Sequence, residues 1–171
     1  MRRWLLPLLA GIVFALVAYQ AALVATPRFL MAAAIKRVGA GGMNRMTHGP
    51  LATDKARTIV RPSPDLAYSS CPFDLSNGPI RVHVAAIPTA YWSLSVFDER
   101  TDAAFVRNNQ EATGGALDIV IALKGQGTPP GATVVTVDGT KGIALVRALV
   151  EDRAGFAAID AVRRQSTCRA L

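Results

Sequence analysis

The chain is short of the residue types that most often carry chemistry. It has two histidines and two cysteines in 171 residues. His48 and His83 stand several predicted elements apart, and no His, Cys or carboxylate spacing matches a zinc site. The acidic run "DERTD" lacks the full calcium-loop pattern and reads as a solvated turn. There is no Cys-x-x-Cys, no Gly-x-Ser-x-Gly elbow and no Ser-x-x-Lys. Ser69 and Ser70 in "AYSSC" would need His48 or His83 folded close by to act as nucleophiles, and the spacing alone does not ask for it. "KGQGTPPG" lacks the Lys-Ser/Thr ending of a phosphate loop. "DGTKG" reads as a hairpin turn. These absences leave metal, cofactor and nucleophilic chemistry without a sequence signal, so neither a cofactor nor a metal is expected.

Acidic residues are missing from one place in particular. Residues 1–40 hold Arg2, Arg3, Arg28, Lys36 and Arg37 and no Asp or Glu, so five of the seven excess positive charges fall there. The remainder is nearly balanced, and no basic run carries interleaved aromatics. A nucleic-acid partner is therefore not expected. The charges instead flank "WLLPLLAGIVFALVAYQAALVATP", residues 4–27, which has no charged side chain. About 20 apolar residues suffice to cross the hydrocarbon core as a helix. A cleaved signal peptide is the competing reading, with Arg2 and Arg3 as its basic start and Ala18, Ala21 and Ala22 near its end. The run outlasts a usual signal core, and an amphipathic "RFLMAAAIKRVG" follows, which favours an uncleaved anchor in contact with the lipid bilayer. Arg2 and Arg3 pull the N-terminus inside, whereas Arg28, Lys36, Arg37 and Arg45 oppose that orientation. The expectation is a bacterial inner-membrane, single-pass protein with its domain facing the periplasm.

Cys71 and Cys168 form an even pair far apart in sequence. They read either as a disulfide tying the C-terminal tail to an early strand, in an oxidising compartment, or as two small buried hydrophobes.

Three parts follow along the chain: an anchor and juxtamembrane helix over residues 1–38, a glycine-rich linker over 39–52, and a β-rich domain over 53–171. A short strand is expected near residues 57–61. "LAYSSCPF", "IRVHVAAI", "YWSLSVFD", "AAFVRN", "LDIVIAL" and "ATVVTVD" are short runs rich in β-formers, bounded by "DLSNGP", "PTA", "DERTD", "NNQEATGG", "KGQGTPPG" and "DGTKG". In "YWSLSVFD", Trp92, Leu94 and Val96 share one face, and Tyr91, Ser93, Ser95 and Phe97 the other. Such alternation predicts half-buried antiparallel strands. "KGIALVRALVED" fits strand or helix. "EDRAGFAAIDAVRRQ" predicts the one helix after the anchor, with Asp152 as N-cap and Phe156, Ile159 and Val162 at helical spacing. The fold class expected is mainly β, an antiparallel sandwich or barrel-like domain with one C-terminal helix behind a single transmembrane helix.

Polar residues at predicted strand ends are the candidate site. Pro62 and Pro64 hold "RPSP" extended, Asp65 can fix the turn before the strand, and Asn77-Gly78 can take positive φ. Arg61, Asp65, Tyr68, Asp74, Trp92, Asp98, Arg107 and Asn108 can line a pocket if one rim of the domain gathers them. Asp102 shares this setting, and Arg–Asp pairing is the plainer explanation for it.

"RTIVRPSPDLAYSSCPFDLSNGPI" and "YWSLSVFDERTDAAFVRNNQ" together resemble the bacterial family named after the domain of unknown function 1254 (DUF1254). The resemblance rests on Asp65, Tyr68 and Ser69, on Asp74-Leu75-Ser76 with Gly78-Pro79, on Tyr91-Trp92-Ser93, and on Asp98, Asp102, Phe105 and Asn108. It spans roughly residues 47–150. It departs at "SPDLAYSS", which lacks a double asparagine, and at "CPFD", where apolar residues are usual. The resemblance implies a β-rich domain without an assigned activity. Longer members carry a second β-rich domain, so it also implies a short, membrane-anchored form whose partner is a separate protein bearing that domain. Two functions follow: a non-enzymatic binding or docking domain outside the cytoplasm, or a small-molecule hydrolase-like enzyme with a polar pocket at its strand ends.

Overall fold

The computed structural model describes residues 2–53, 62–112 and 115–171. The strand expected near residues 57–61 and the candidate Arg61 lie outside the described residues.

Helix α1 runs over Arg2–Val38. Its apolar residues are exposed, and no part of its most apolar window is buried by the rest of the chain. By length and composition it can cross a membrane. Pro7 and Pro27 lie within it, each removing one backbone donor. The C-terminal half of the helix runs beside the domain. Met31 is buried there, and Arg28 pairs with Glu99 at 3.6 Å.

Among the described residues nine strands follow: β1 (Thr47–His48), β2 (Leu66–Asp74), β3 (Ile80–Val84), β4 (Trp92–Phe97), β5 (Ala103–Asn108), β6 (Leu117–Ala122), β7 (Val134–Thr136), β8 (Lys141–Leu149) and β9 (Thr167–Ala170). Helix α2 (Phe156–Arg163) lies between the last two. The strands form two sheets, one ordered β1-β2-β8-β4-β5 and one β7-β6-β3-β9. All pairings are antiparallel except β6 with β7, which is parallel, so the second sheet is mixed. β1 falls within the glycine-rich stretch and pairs with β2, Thr47 opposite Ser70.

The alternating segments coincide with β2 to β7. "KGIALVRALVED" resolves as strand β8, which sits inside the first sheet between β2 and β4. Ala144, Val146 and Ala148 on one of its faces are buried, while Leu145, Arg147 and Leu149 on the other are only partly so. "DGTKG" does not close a hairpin. It joins β7 in one sheet to β8 in the other, and Gly139 there has φ +83 with Glu99 where a Cβ would stand. Gly78 takes φ +133 in the turn after β2. Asp152 does not cap α2: its carboxylate accepts the Ala154 N–H at 3.1 Å, and Gly155 occupies the N-cap without a side-chain bond.

β4 is also more buried than half-exposed alternation implies. Trp92, Leu94 and Val96 face the core as expected, yet Ser93 and Ser95 are buried too. Arg147 of β8 lies opposite Ser93 and donates to Ser95 Oγ at 3.2 Å, so the long side chain covers the small hydroxyls.

Alternate residues of both sheets meet in one core. It includes Phe73, Trp92, Leu94 and Val146 from the first sheet and Ile80, Val82, Ile119 and Ile121 from the second. A Cys71–Cys168 disulfide joins β2 to β9, and therefore one sheet to the other, across 97 positions of sequence.

Candidate functional site

The register divides the strand-end residues between opposite ends of the first sheet. β2 pairs Leu66 with Leu149 at one end and Asp74 with Lys141 at the other, and β4 runs from Trp92, opposite Ala148, to Phe97, opposite Ile143. Asp65, Tyr68, Trp92, Arg107 and Asn108 therefore lie toward one end, and Asp74 and Asp98 toward the other.

Most of these residues are held by local contacts. Asp65 is exposed, and its carbonyl accepts the Val150 N–H at 2.8 Å. Tyr68 Oη accepts the Ser63 N–H at 2.9 Å. Trp92 is a core residue. Arg107 stacks over the Phe105 ring, 5.3 Å from its centroid. Asn108 Oδ1 accepts the N–H groups of Gln110 and Glu111 at 2.9 and 3.2 Å. At the far end, Asp74 accepts from Ser76 Oγ at 2.6 Å and from its N–H at 3.0 Å, with Lys141 at 3.5 Å. Those Ser76 bonds come first among the causes that hold the Asp74 carboxyl below its ordinary range; burial opposes them and Lys141 adds to them. Buried Asp98 accepts the Arg100 and Asp102 N–H groups at 2.8 and 3.0 Å and so shapes the β4–β5 turn. Arg100 then reaches across to Asp138 at 2.6 Å.

The densest polar cluster lies elsewhere, where β1, β2 and α2 meet. Arg163 is fully buried. Its Nη1 donates to the Tyr68 carbonyl at 2.5 Å and to Ser69 Oγ at 2.9 Å. Its Nη2 donates to the Gly49 carbonyl at 2.9 Å and to the Asp160 carboxylate. Nε also donates to Asp160, at 3.1 Å, and Arg164 bonds the other Asp160 oxygen at 2.7 Å. Ser69 Oγ lies 2.9 Å from His48 Nδ1. With one O–H and two lone pairs, Ser69 Oγ accepts from Arg163 and can pair with His48 Nδ1 in either direction.

Burial raises the Asp160 carboxyl, but the hydrogen bonds and charges of Arg164 and Arg163 outweigh it and hold the group below its ordinary value. His48 is pushed below 6.5, first by burial and then by the Arg163 and Arg164 charges, with Asp160 opposing. A folded-state value below the unfolded one means that the unfolded chain binds more protons as pH falls. Stability is therefore complete above about 6.5 and declines below it, toward the lowered folded value. Thermal melts at pH 7.5 and 5.5 are expected to differ by about 2 °C or more in the native chain, a figure kept small because the imidazole is only half-buried. His48→Gln is expected to reduce that difference; an unchanged difference would remove His48 as its source.

The Ser–His arrangement resembles half of a nucleophilic dyad, with a cation on the hydroxyl in place of a carboxylate on the imidazole. Ser69 is, however, completely buried. No electrophile reaches Oγ without opening the β1–β2–α2 junction, and the cluster acts as a clasp between three segments. His83 stands apart, paired at the surface with Asp118 at 3.0 Å. Among the described residues no group of three or more His, Cys, Asp or Glu could hold a metal ion. The sequence offered one hint of the clasp, two arginines ending α2, which read equally well as ordinary C-terminal charges.

Two open grooves run along α1. One, of about 310 Å³, lies between the helix, Glu99 of the β4–β5 turn and Lys141 at the start of β8. The other, of about 320 Å³, lies between Tyr19, Leu23, Leu30 and Thr101 of the β4–β5 turn.

A two-sheet β domain carried on a long, exposed apolar helix is the class of protein these features define. The family model described as "Protein of unknown function (DUF1254)" matches residues 43–170, and the chain belongs to that family. Its matched region begins before β1, consistent with the pairing of that strand to β2. No curated protein matches. Among solved structures, the VPA0106 protein from Vibrio parahaemolyticus is similar with a TM-score of 0.68 at 15% identity, over 88% of this chain and 37% of that one. A putative uncharacterized protein from Burkholderia cenocepacia reaches a TM-score of 0.47 at 16% identity, over 80% of this chain and 38% of that one. The present chain thus spans well under half the length of either. The first likeness supports the fold alone.

Proposed function

We propose that this chain is a single-pass bacterial inner-membrane protein whose β-sandwich domain faces the periplasm and works as a binding or docking module rather than as an enzyme. The observation that carries the reading is the apolar surface of α1, which nothing in the fold covers. The disulfide between the sheets supports an oxidising compartment for the domain. The two sheets, sharing one core, support a sandwich. Two partners fit. One is the lipid bilayer, through α1. The other is a separate chain bearing a second β-rich domain, for which the outer strand β5 offers exposed Ala103, Ala104 and Val106.

A hydrolase-like enzyme is the second reading, and the His48–Ser69 contact is what favours it. A fluorophosphonate probe separates the two. The docking reading expects no labelling of Ser69 in the folded protein. Labelling that disappears in His48→Gln would favour the enzyme. Carbonate washing and protease treatment of spheroplasts test the placement: the chain is expected to stay with membranes and its domain to be digested from outside.

A further inference from the structure

We propose that the outer face of the first sheet, around Arg147, is a binding site for a monocarboxylate with an apolar body. The proposal rests on the reading of the domain as a binding module, though not on α1 being an anchor. Antiparallel register sets Tyr68 of β2, Arg147 of β8, Ser93 of β4 and Asn108 of β5 side by side in one row. Residues opposite one another share a face, and Leu94, Val146 and Ala148 beside this row point into the core, so the row points outward. Arg147 therefore stands half-buried on the middle strand of five, away from either edge of the sheet.

A cation taken partly out of water is ordinarily matched by a carboxylate. Arg163 and Arg164 have Asp160, and Arg100 has Asp98, Asp102 and Asp138. Among the described residues Arg147 has none. Its one hydrogen bond runs from Nη2 to the Ser95 hydroxyl at 3.2 Å, and its buried Nε has no partner. Ser93 Oγ, directly opposite, is likewise buried and without a partner. Asp65, Glu111 and Glu151, the acids that flank the row in sequence, are exposed and do not pair with Arg147. The row also supplies a second donor. Tyr68 Oη accepts the Ser63 N–H at 2.9 Å, which leaves its own O–H to donate.

The neighbours select the ligand. Leu145 and Leu149 flank Arg147 on the same face of β8, both half-buried. A lone guanidinium matches the single charge and the fork of a carboxylate, and falls one charge short of a phosphate dianion. The leucines favour an apolar body beside that carboxylate. The buried serines lie beneath the guanidinium and support it, so the ligand meets only its open part and the Tyr68 hydroxyl.

Equilibrium dialysis of radiolabelled phenylacetate against the full-length protein in nonionic detergent tests the site, with empty micelles as the blank. Phenylacetate is expected to bind saturably. Acetate should compete weakly, because it lacks the body, and phenylacetamide should not compete, because it lacks the charge. Arg147→Gln should weaken binding about tenfold or more, the scale of a hydrogen bond to a charged group, and Arg147→Lys should recover a minor part. Tyr68→Phe should weaken it about fivefold. Arg169→Gln, on exposed β9 of the other sheet, should leave it unchanged. Because Arg147 has no counter-ion to lose, Arg147→Gln without ligand should melt within about 5 °C of the native chain. A larger drop would make Arg147 a structural brace and overturn the site. Absence of saturable binding, competition by phenylacetamide or inorganic phosphate equal to that of phenylacetate, or an equal loss in Arg169→Gln would also overturn it, and would leave docking through β5 standing. Fluorophosphonate labelling of Ser69 would instead overturn the binding-module reading on which the site rests.

Discussion

Replacing Arg163 by alanine is expected to destabilise the domain by about 3–5 kcal/mol, the range for removing one partner of a buried, hydrogen-bonded charge pair. The guanidinium has no exposed surface. Its loss leaves the Gly49 carbonyl and one Asp160 oxygen without their donor, the Tyr68 carbonyl with only the Gly49 N–H, and Ser69 Oγ without its cation. A buried ion pair is weak evidence of net stability on its own, since an apolar replacement of both partners can do as well. Breaking it on one side is the costly operation. The effect should also be spread across distant segments, because the same side chain holds α2, β2 and the turn after β1. Arg163→Lys keeps the charge but not the planar fork, so it should recover only a minor part. Chemical denaturation of the two variants measures this. An Arg163→Ala loss within about 0.5 kcal/mol, the scale of ordinary surface substitutions, would contradict the clasp.

The second large effect is expected on breaking the bridge. The Cys71→Ala, Cys168→Ala double variant should lose about 4–5 kcal/mol, the chain-entropy value for a loop near 100 residues. Cys71 is fully buried in β2, and Cys168 sits in the four-residue strand β9 at the edge of the second sheet. β9 is otherwise held by pairing with β3, where Cys168 lies opposite Val82. Without the bridge, β9 should be the first strand to exchange its amide hydrogens. A loss under about 1 kcal/mol, with β9 still protected, would mean that β3 pairing alone secures the tail. The two variants should not be additive. Cys71 and Ser69 are alternate residues on the same face of β2, so the clasp and the bridge hold neighbouring points of one strand, and coupling of about 0.5–3 kcal/mol is expected in a double-mutant cycle.

Most strands were readable because their alternation and their turns agree. Ile80, Val82 and Val84 are buried while Arg81 and His83 are not, the period-two pattern that the sequence itself displays. β8 resisted because Leu145 and Leu149 place apolar side chains on its half-buried face as well, which blurs the period of two. β9 resisted because four residues are too few to show one. The turn before β8 looked like a hairpin because local turn chemistry does not say which sheet receives the next strand. The clasp was illegible for a different reason. Positions 48, 69, 160 and 163 meet only through the β1–β2 pairing and the docking of α2, and no local signal joins them. The strand-end candidates illustrate the same limit: their residue types were readable, while their division between two ends followed from register alone.

The central claim is a membrane-anchored domain with an intersheet disulfide on the oxidising side of the membrane. Alkylation of thiols in intact cells and in denatured membranes, with and without reductant, tests it most directly. The account predicts that Cys71 and Cys168 are labelled only after denaturation and reduction together. Labelling after denaturation without reductant would show free thiols, contradict the bridge, and turn the balance of basic residues around α1 toward a cytoplasmic domain.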